Sequence, residues 1–275
     1  MHYVEAIIFG IVQGITEFIP ISSTAHIIIT ELLLGYQFPG LAFEIILHIA
    51  SVFAVALYFR RELIKVISGF ISYFQQPSAE NRVHFLFGVY ILVATVITGG
   101  LGLILKRMTI DSMKTPVFMG GALIVTGVFL IIIERFRKYG DRTEKNMTLL
   151  DAFIVGLGQT LAVLPGISRS GSTLVVALWA GLSRETAVRF SFLLVIPVIL
   201  GSSVLAWGDV SAAIVAEIGL GPLIVSFITS FVFSLVGIVW LIDFLRRGRL
   251  LYFALYCFTV AALLFVYADR LTPAL

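Results

Sequence analysis

The chain has 275 residues, 59% of them hydrophobic and 13% charged, with a formal net charge of +3 and a mean hydropathy of +1.05. A soluble domain sits nearer half apolar and a quarter charged, so this composition excludes one and points to a polytopic membrane protein. The basic balance, a pI of about 9.1, follows from loop charges on one membrane face, and no nucleic-acid partner is expected.

A spanning helix takes about 20 mostly apolar residues. The first apolar stretch, about 4–35, is broken near its middle by QGITEFIPISSTAH, from Gln13 to His26. Full-length runs follow at Leu41–Phe59, Phe85–Leu105 and Pro116–Ile133. A second broken stretch, about 149–182, carries GQTLAVLPGISRSGST from Gly158 to Thr173. Three further full runs lie at Phe190–Trp207, Pro222–Ile242 and Leu250–Tyr267. Each half of a broken stretch is too short to cross alone, and non-helical backbone at membrane depth survives only when buried in protein or lining a wet cavity. The expected fold is therefore an all-α polytopic membrane protein, with six transmembrane helices plus two re-entrant helix–loop–helix hairpins. The leading MHYVEAIIFG has no basic n-region and no small-residue cleavage site, so no removable signal peptide is expected. The single cysteine, Cys257, excludes an internal disulfide.

Loop charge tests this topology. If both hairpins return to the face they start from, the loops at 60–84, 134–148, 184–189 and 243–249 share one side and collect 14 of the 19 lysines and arginines, among them Arg60, Arg142 and Arg246. The opposite side keeps Lys106, Arg107, Lys114 and Arg270. The positive-inside rule then places the basic loops in the cytoplasm and both termini outside. The hairpins also align at a fixed offset of 146, which carries Glu5 onto Asp151, Gly10 onto Gly156, Gln13 onto Gln159 and Ser22 onto Ser168. Three spans separate the copies, so the second is upside down, an inverted-topology repeat within one membrane domain, 1–275, the halves running over roughly 1–134 and 149–275.

The two breaks hold the chemistry. Intramembrane ionisable groups are costly and mark functional sites, and here they are Glu17, His26 and Arg169. The second half-helix of each hairpin begins at Ser22-Ser23-Thr24 and at Ser168-Arg169-Ser170, where unpaired N–H groups and the positive dipole end suit a phosphate. Arg169 adds a guanidinium able to grip phosphate oxygens bidentately. Glu17 lies one turn after Gln13 on the same helical face, and the pair offers oxygen ligands to a hard divalent cation, Mg²⁺ or Ca²⁺. His26 follows Ser23 by three positions, a spacing suited to acid–base work on a serine or water. Bland readings stand beside these: the serines cap helices, Glu17 pairs with Arg169, and His26 is a packing residue. Glu44 and His48 form an i,i+4 pair in the first full span that either lines the cavity or bonds internally.

QGITE followed by FIPISSTAH, and PGISRSGST at 165–173, resemble the two signatures of the bacitracin-resistance type undecaprenyl-diphosphate phosphatases. The resemblance covers essentially the whole chain. It implies a cation-dependent membrane phosphatase, multi-pass in the plasma membrane with its site open to the outer side, that converts a polyprenyl diphosphate lipid to the monophosphate carrier of envelope glycan synthesis. Carried over by motif, the site comprises Gln13, Glu17, Ser23 and His26 from the first hairpin and Ser168, Arg169 and Thr173 from the second. Ser22, Ser170 and Gln159 join it as substrate-binding candidates, with Gln13 and Glu17 as metal ligands. One departure is visible: position 13 is Gln where many members carry Glu. The expected mechanism has Ser23 as nucleophile, His26 moving its proton, and Glu17 binding the cation or polarising the histidine; attack by metal-bound water competes. A lipid-carrier flippase or anion transporter built on the same hairpins is the rival function, and homodimerisation stays open.

Overall fold

The computed structural model describes residues 1–36, 42–108, 113, 115–136, 140–205 and 218–268. Eleven α-helices account for most of them, and no β-strand occurs among the described residues. In chain order these are α1 (Tyr3–Phe18), α2 (Ser23–Leu34), α3 (Ala42–Tyr58), α4 (Arg60–Gln75), α5 (Ala79–Met108), α6 (Pro116–Phe136), α7 (Leu149–Thr160), α8 (Arg169–Trp179), α9 (Arg184–Leu205), α10 (Leu220–Arg246) and α11 (Leu250–Val266).

Helices α5, α6, α9 and α10 are long and apolar enough to cross a membrane. The pair α3 and α4, bent by 80° at Phe59, supplies a fifth such span, and α11 is a shorter apolar helix of 17 residues. The chain is thus a multi-pass, all-helical membrane protein. One expectation needs correcting: 60–75, read from sequence as the start of a polar loop, is helix α4. Its charges Arg60, Arg61, Glu62 and Lys65 mask a stripe of exposed apolar residues, Ile64, Ile67, Ile71 and Phe74, at helical spacing. Likewise 184–189 is the first part of α9 rather than a loop. Leu41, Trp207, Lys114, Arg137, Lys138 and Arg270 lie outside the described residues, as do the side chains of Lys106 and Arg107.

Packing of the hairpins depends on small residues. Helix α1 lies along α10, and α7 lies along α5. A Cβ at Gly14 would stand 2.6 Å from the Ser230 carbonyl oxygen and 2.7 Å from the Ser234 nitrogen, so the backbones touch. A Cβ at Gly156 would stand 3.0 Å from the Ala94 carbonyl oxygen on α5. Close approach of this kind, with no side chains intervening, is how helices gain contact where lipid offers no hydrophobic drive. Helix α3 fits between α9 and α10, with α1 alongside, and α6 packs on α11.

Each hairpin is closed at its base. Arg142 donates to both carboxylate oxygens of Asp151 at 3.0 and 2.5 Å, and to the Ala180 carbonyl at 2.9 Å, joining the start of α7 to the end of α8. In the first hairpin the Tyr36 hydroxyl, just past α2, donates to Glu5 in the first turn of α1. Both hairpins therefore start and finish at one end, with their breaks at the other.

Candidate functional site

Each break is built differently from a similar sequence. Helix α1 stops at Phe18, which is fully buried with its ring edge-on to Phe192 at 5.3 Å. Pro20 prevents the helix from continuing. Ser22 then takes φ 70°, ψ 99°, the one positive φ among described non-glycine residues. Its hydroxyl accepts from the Ala25 N–H at 3.4 Å, capping α2. In the second hairpin α7 runs through a 3-10 turn, Leu161–Val163, before Pro165 and Gly166. Gly166 holds φ 93° and lies against Ala122 and Met119 of α6, where a Cβ would come within 2.8 Å of the Ala122 Cβ. Ser168 caps α8 by accepting from the Gly171 N–H at 3.1 Å.

The breaks meet at Glu17. Its side chain is almost wholly buried, yet it takes four polar contacts from four different helices. Gln13 Nε2 donates to Oε2 at 2.9 Å and Ser23 Oγ donates to the same oxygen at 2.8 Å. The Arg169 guanidinium, from the opposite hairpin, donates to Oε1 at 3.0 Å. His48, from α3, brings Nε2 to 3.3 Å from Oε2. A buried carboxylate needs such partners, because an isolated charge out of water is prohibitively costly.

Glu17, Ser22, Ser23, Thr24, Ala162, Ile167, Ser168 and Arg169 line one cavity of about 30 Å³ between the tips. That is room for about two waters. The N-termini of α2 and α8 both open onto it, adding their unpaired N–H groups to the guanidinium.

The remaining sequence candidates lie as follows. His26 turns its ring away from Ser23: Nδ1 donates to the Ser22 carbonyl at 2.7 Å, and Nε2 meets the Tyr256 hydroxyl of α11 at 2.8 Å. Since a carbonyl only accepts, the proton is on Nδ1 and Tyr256 donates to Nε2. Ser170 bonds the Ser168 hydroxyl at 3.2 Å, and Thr173 donates back to the carbonyls of Arg169 and Ser170 at 3.1 and 3.2 Å. Gln159 is buried at the end of α7, next to the break, and donates to Thr98 on α5 at 2.9 Å.

The sequence left His48 between lining the cavity and an internal bond with Glu44, and offered Thr24 only as part of the α2 N-terminus; the structure brings both to the site. An imidazole inside a 17-residue apolar helix was the available signal for His48. For a divalent cation the donor chemistry fits. Gln13 Oε1 is buried with no hydrogen-bond partner, beside the Glu17 carboxylate, and an amide oxygen with a carboxylate is an all-oxygen set suited to a hard ion.

The family described as bacitracin resistance protein BacA matches residues 6–263. The chain is 64% identical over 271 residues to undecaprenyl-diphosphatase 2 of Halalkalibacterium halodurans, covering 98% of each. It is 54% identical over 275 residues to undecaprenyl-diphosphatase 1 of Shouchella clausii, covering 100% of this chain and 99% of that one. Undecaprenyl-diphosphatase 3 of Bacillus anthracis is 36% identical over 266 residues, covering 97% and 98%.

Proposed function

The chain belongs to the bacitracin resistance protein BacA family, and from that premise and the Glu17 site we infer that it is an integral membrane phosphatase hydrolysing undecaprenyl diphosphate to the monophosphate and inorganic phosphate. The observation that carries the reading is a serine hydroxyl and a guanidinium held on one buried carboxylate, Ser23 at 2.8 Å and Arg169 at 3.0 Å. Anion transport needs the guanidinium but has no use for the serine–carboxylate pair.

The chemistry follows from those contacts. Ser23 Oγ attacks the terminal phosphorus while its proton passes to Glu17 Oε2, the oxygen it already bonds. The new Oγ–P bond forms as the bridging P–O bond breaks, releasing the lipid monophosphate. Water then attacks the phosphoserine, inorganic phosphate leaves, and the proton returns to Ser23. Arg169 and the N-termini of α2 and α8 hold the charge of the transferring phosphoryl group. His26, committed to Ser22 and Tyr256, stands outside this proton path. Glu17 and Gln13 Oε1 would hold a divalent cation, which supplies charge neutralisation for the diphosphate. As the diphosphate head enters, the Arg169–Glu17 contact gives way to Arg169–phosphate.

The finer architecture belongs to the same proposal: six crossings, with α3 and α11 completing them, and two re-entrant hairpins related by an inverted repeat over a single domain. Supporting it, α1 and α7 start 146 residues apart, at Tyr3 and Leu149, as do α2 and α8, at Ser23 and Arg169. The Arg142–Asp151 and Tyr36–Glu5 closures also fit hairpins that return to the face they left. With the basic loops cytoplasmic, the termini and the site face outward.

The test is phosphate release from undecaprenyl diphosphate by the detergent-solubilised protein. Release is expected from wild type, with Arg169→Ala lowering turnover by about 10²–10³-fold. Lipid transfer across vesicles without any release would overturn the reading in favour of a carrier.

A further inference from the structure

We propose that Tyr256 is a positioning residue of this site, whose hydroxyl braces the turn that presents Ser23 to Glu17. The proposal deepens the phosphatase reading and rests on it. Ser22 stands at φ 70° and ψ 99°, the one positive φ among the described residues other than glycine. Such backbone persists only where its surroundings over-determine it. The Ser22 carbonyl accepts from the His26 backbone N–H at 3.3 Å and from the His26 ring Nδ1 at 2.7 Å. The far ring nitrogen, Nε2, meets the Tyr256 hydroxyl at 2.8 Å, and the two rings stack with centroids 5.5 Å apart and planes 14° from parallel. Helix α11 thus reaches the Ser22 carbonyl through one imidazole. A phenol both donates and accepts, so this link stands whether the ring carries one proton or two. The next residue of α11 touches the same break: the Cys257 thiol lies 3.9 Å from the Pro20 carbonyl.

The second break shows what the brace adds. Ser172, which matches His26 at the 146-residue offset, donates its hydroxyl to the Ser168 carbonyl at 2.8 Å. Each N-cap carbonyl therefore takes a side-chain donor from four residues ahead. The imidazole goes on to a second helix, and it does so where the backbone is strained; Ser168 sits at φ −73°. The Ser22–Ser23 peptide is planar, so a held Ser22 carbonyl also fixes the direction of the Ser23 N–H. That N–H is one of the unpaired donors at the start of α2, where Ser22, Ser23 and Thr24 line the cavity. The same peptide sets the origin of the Ser23 side chain, whose hydroxyl bonds Glu17 Oε2 at 2.8 Å. A misplacement of about 1 Å at a reacting group costs on the order of 10²-fold in rate, so even part of that shift is measurable.

The experiment compares Tyr256→Phe, which removes the hydroxyl and keeps the stacked ring, with His26→Ala and with the double variant. Tyr256 is 43% exposed, so the loss of one oxygen leaves no hole in the packing. The full chain in detergent is assayed for phosphate release from undecaprenyl diphosphate, with kcat and KM separated and thermal unfolding followed in parallel. The expected result for Tyr256→Phe is kcat per folded protein about 10-fold lower, within the range such misplacement gives, at unchanged KM. His26→Ala should lose at least as much, and adding Tyr256→Phe to it should lose nothing further, because the hydroxyl acts through the ring. Wild-type kcat in Tyr256→Phe overturns the assignment. So does a double variant in which the two losses multiply in full, since the hydroxyl would then act by another route. Wild type that releases no phosphate sinks the phosphatase reading itself, a separate outcome.

Discussion

The two breaks share a sequence pattern, and the chemistry proposed for the site lies where they differ. Positions that match at the 146-residue offset do structural work: Ser22 and Ser168 cap α2 and α8 through Ala25 and Gly171, themselves 146 apart. Glu5 and Asp151 close the hairpin bases, and Gly10 and Gly156 let α1 and α7 touch α10 and α5. Positions that do not match carry the charge. Glu17 corresponds to Val163, and Ser23 corresponds to Arg169. A symmetric pair of hairpins would put two acids or two bases where the tips meet, each repelling its copy; divergence at two positions leaves one acid facing one base. Even the glutamines part company, Gln13 serving Glu17 and Gln159 serving Thr98.

Removing the asymmetry should therefore cost the most. Glu17→Gln keeps the shape of the side chain and its contacts with donors in part, but it removes the acceptor for the Ser23 proton. Turnover should fall by about 10²–10⁴-fold, the range for a lost general base, with phosphate release as the assay. Val163→Ala, at the matching position of the other tip, should leave turnover near wild type. Comparable losses at both positions would mean the hairpins share the chemistry equally, and the division between scaffold and site would fail.

Most of this division is readable in the chain, because a proline, serine-rich break in apolar sequence has no bland counterpart at membrane depth. The meeting of Glu17 with Arg169, 152 residues apart, follows from two such breaks needing each other. What the chain hides is which third helix stands behind the acid. His48 is 31 residues from Glu17, and nothing in spacing says that α3 packs against α1. His26 lies otherwise than its three-residue spacing from Ser23 suggests, because helical side chains lean toward the N-terminus and the ring bonds the Ser22 carbonyl behind it. Helix α4 escaped because four charges in its first six residues outweigh, in any hydropathy average, the apolar stripe beside them.

The scaffold positions offer smaller and opposite effects. Gly14→Ala drives a methyl into the Ser230 and Ser234 backbone, at 2.6 and 2.7 Å, and overpacking of this kind costs about 1–3 kcal/mol. A lowered unfolding midpoint in detergent is expected. Gly121→Ala, where an added Cβ meets nothing within 4 Å, should leave the midpoint in place.

The finest distinction is between the two caps. Ser168 sits at φ −73°, ψ 123°, ordinary extended backbone, so Ser168→Ala loses only its cap and should destabilise by about 0.5–2 kcal/mol. Ser22 caps equally but holds φ 70°, ψ 99°, a region that costs a side-chain-bearing residue about 1–3 kcal/mol. Glycine at a cap loses only a few tenths of a kcal/mol, so Ser22→Gly relieves more than it forfeits. Its unfolding midpoint should rise while that of Ser168→Ala falls. Matched residues would then respond with opposite sign, because the first break is forced into a tighter path by the acid and serine it must bring together. A fall in both midpoints would show that Ser22 bears no strain and that the breaks differ in side chains alone.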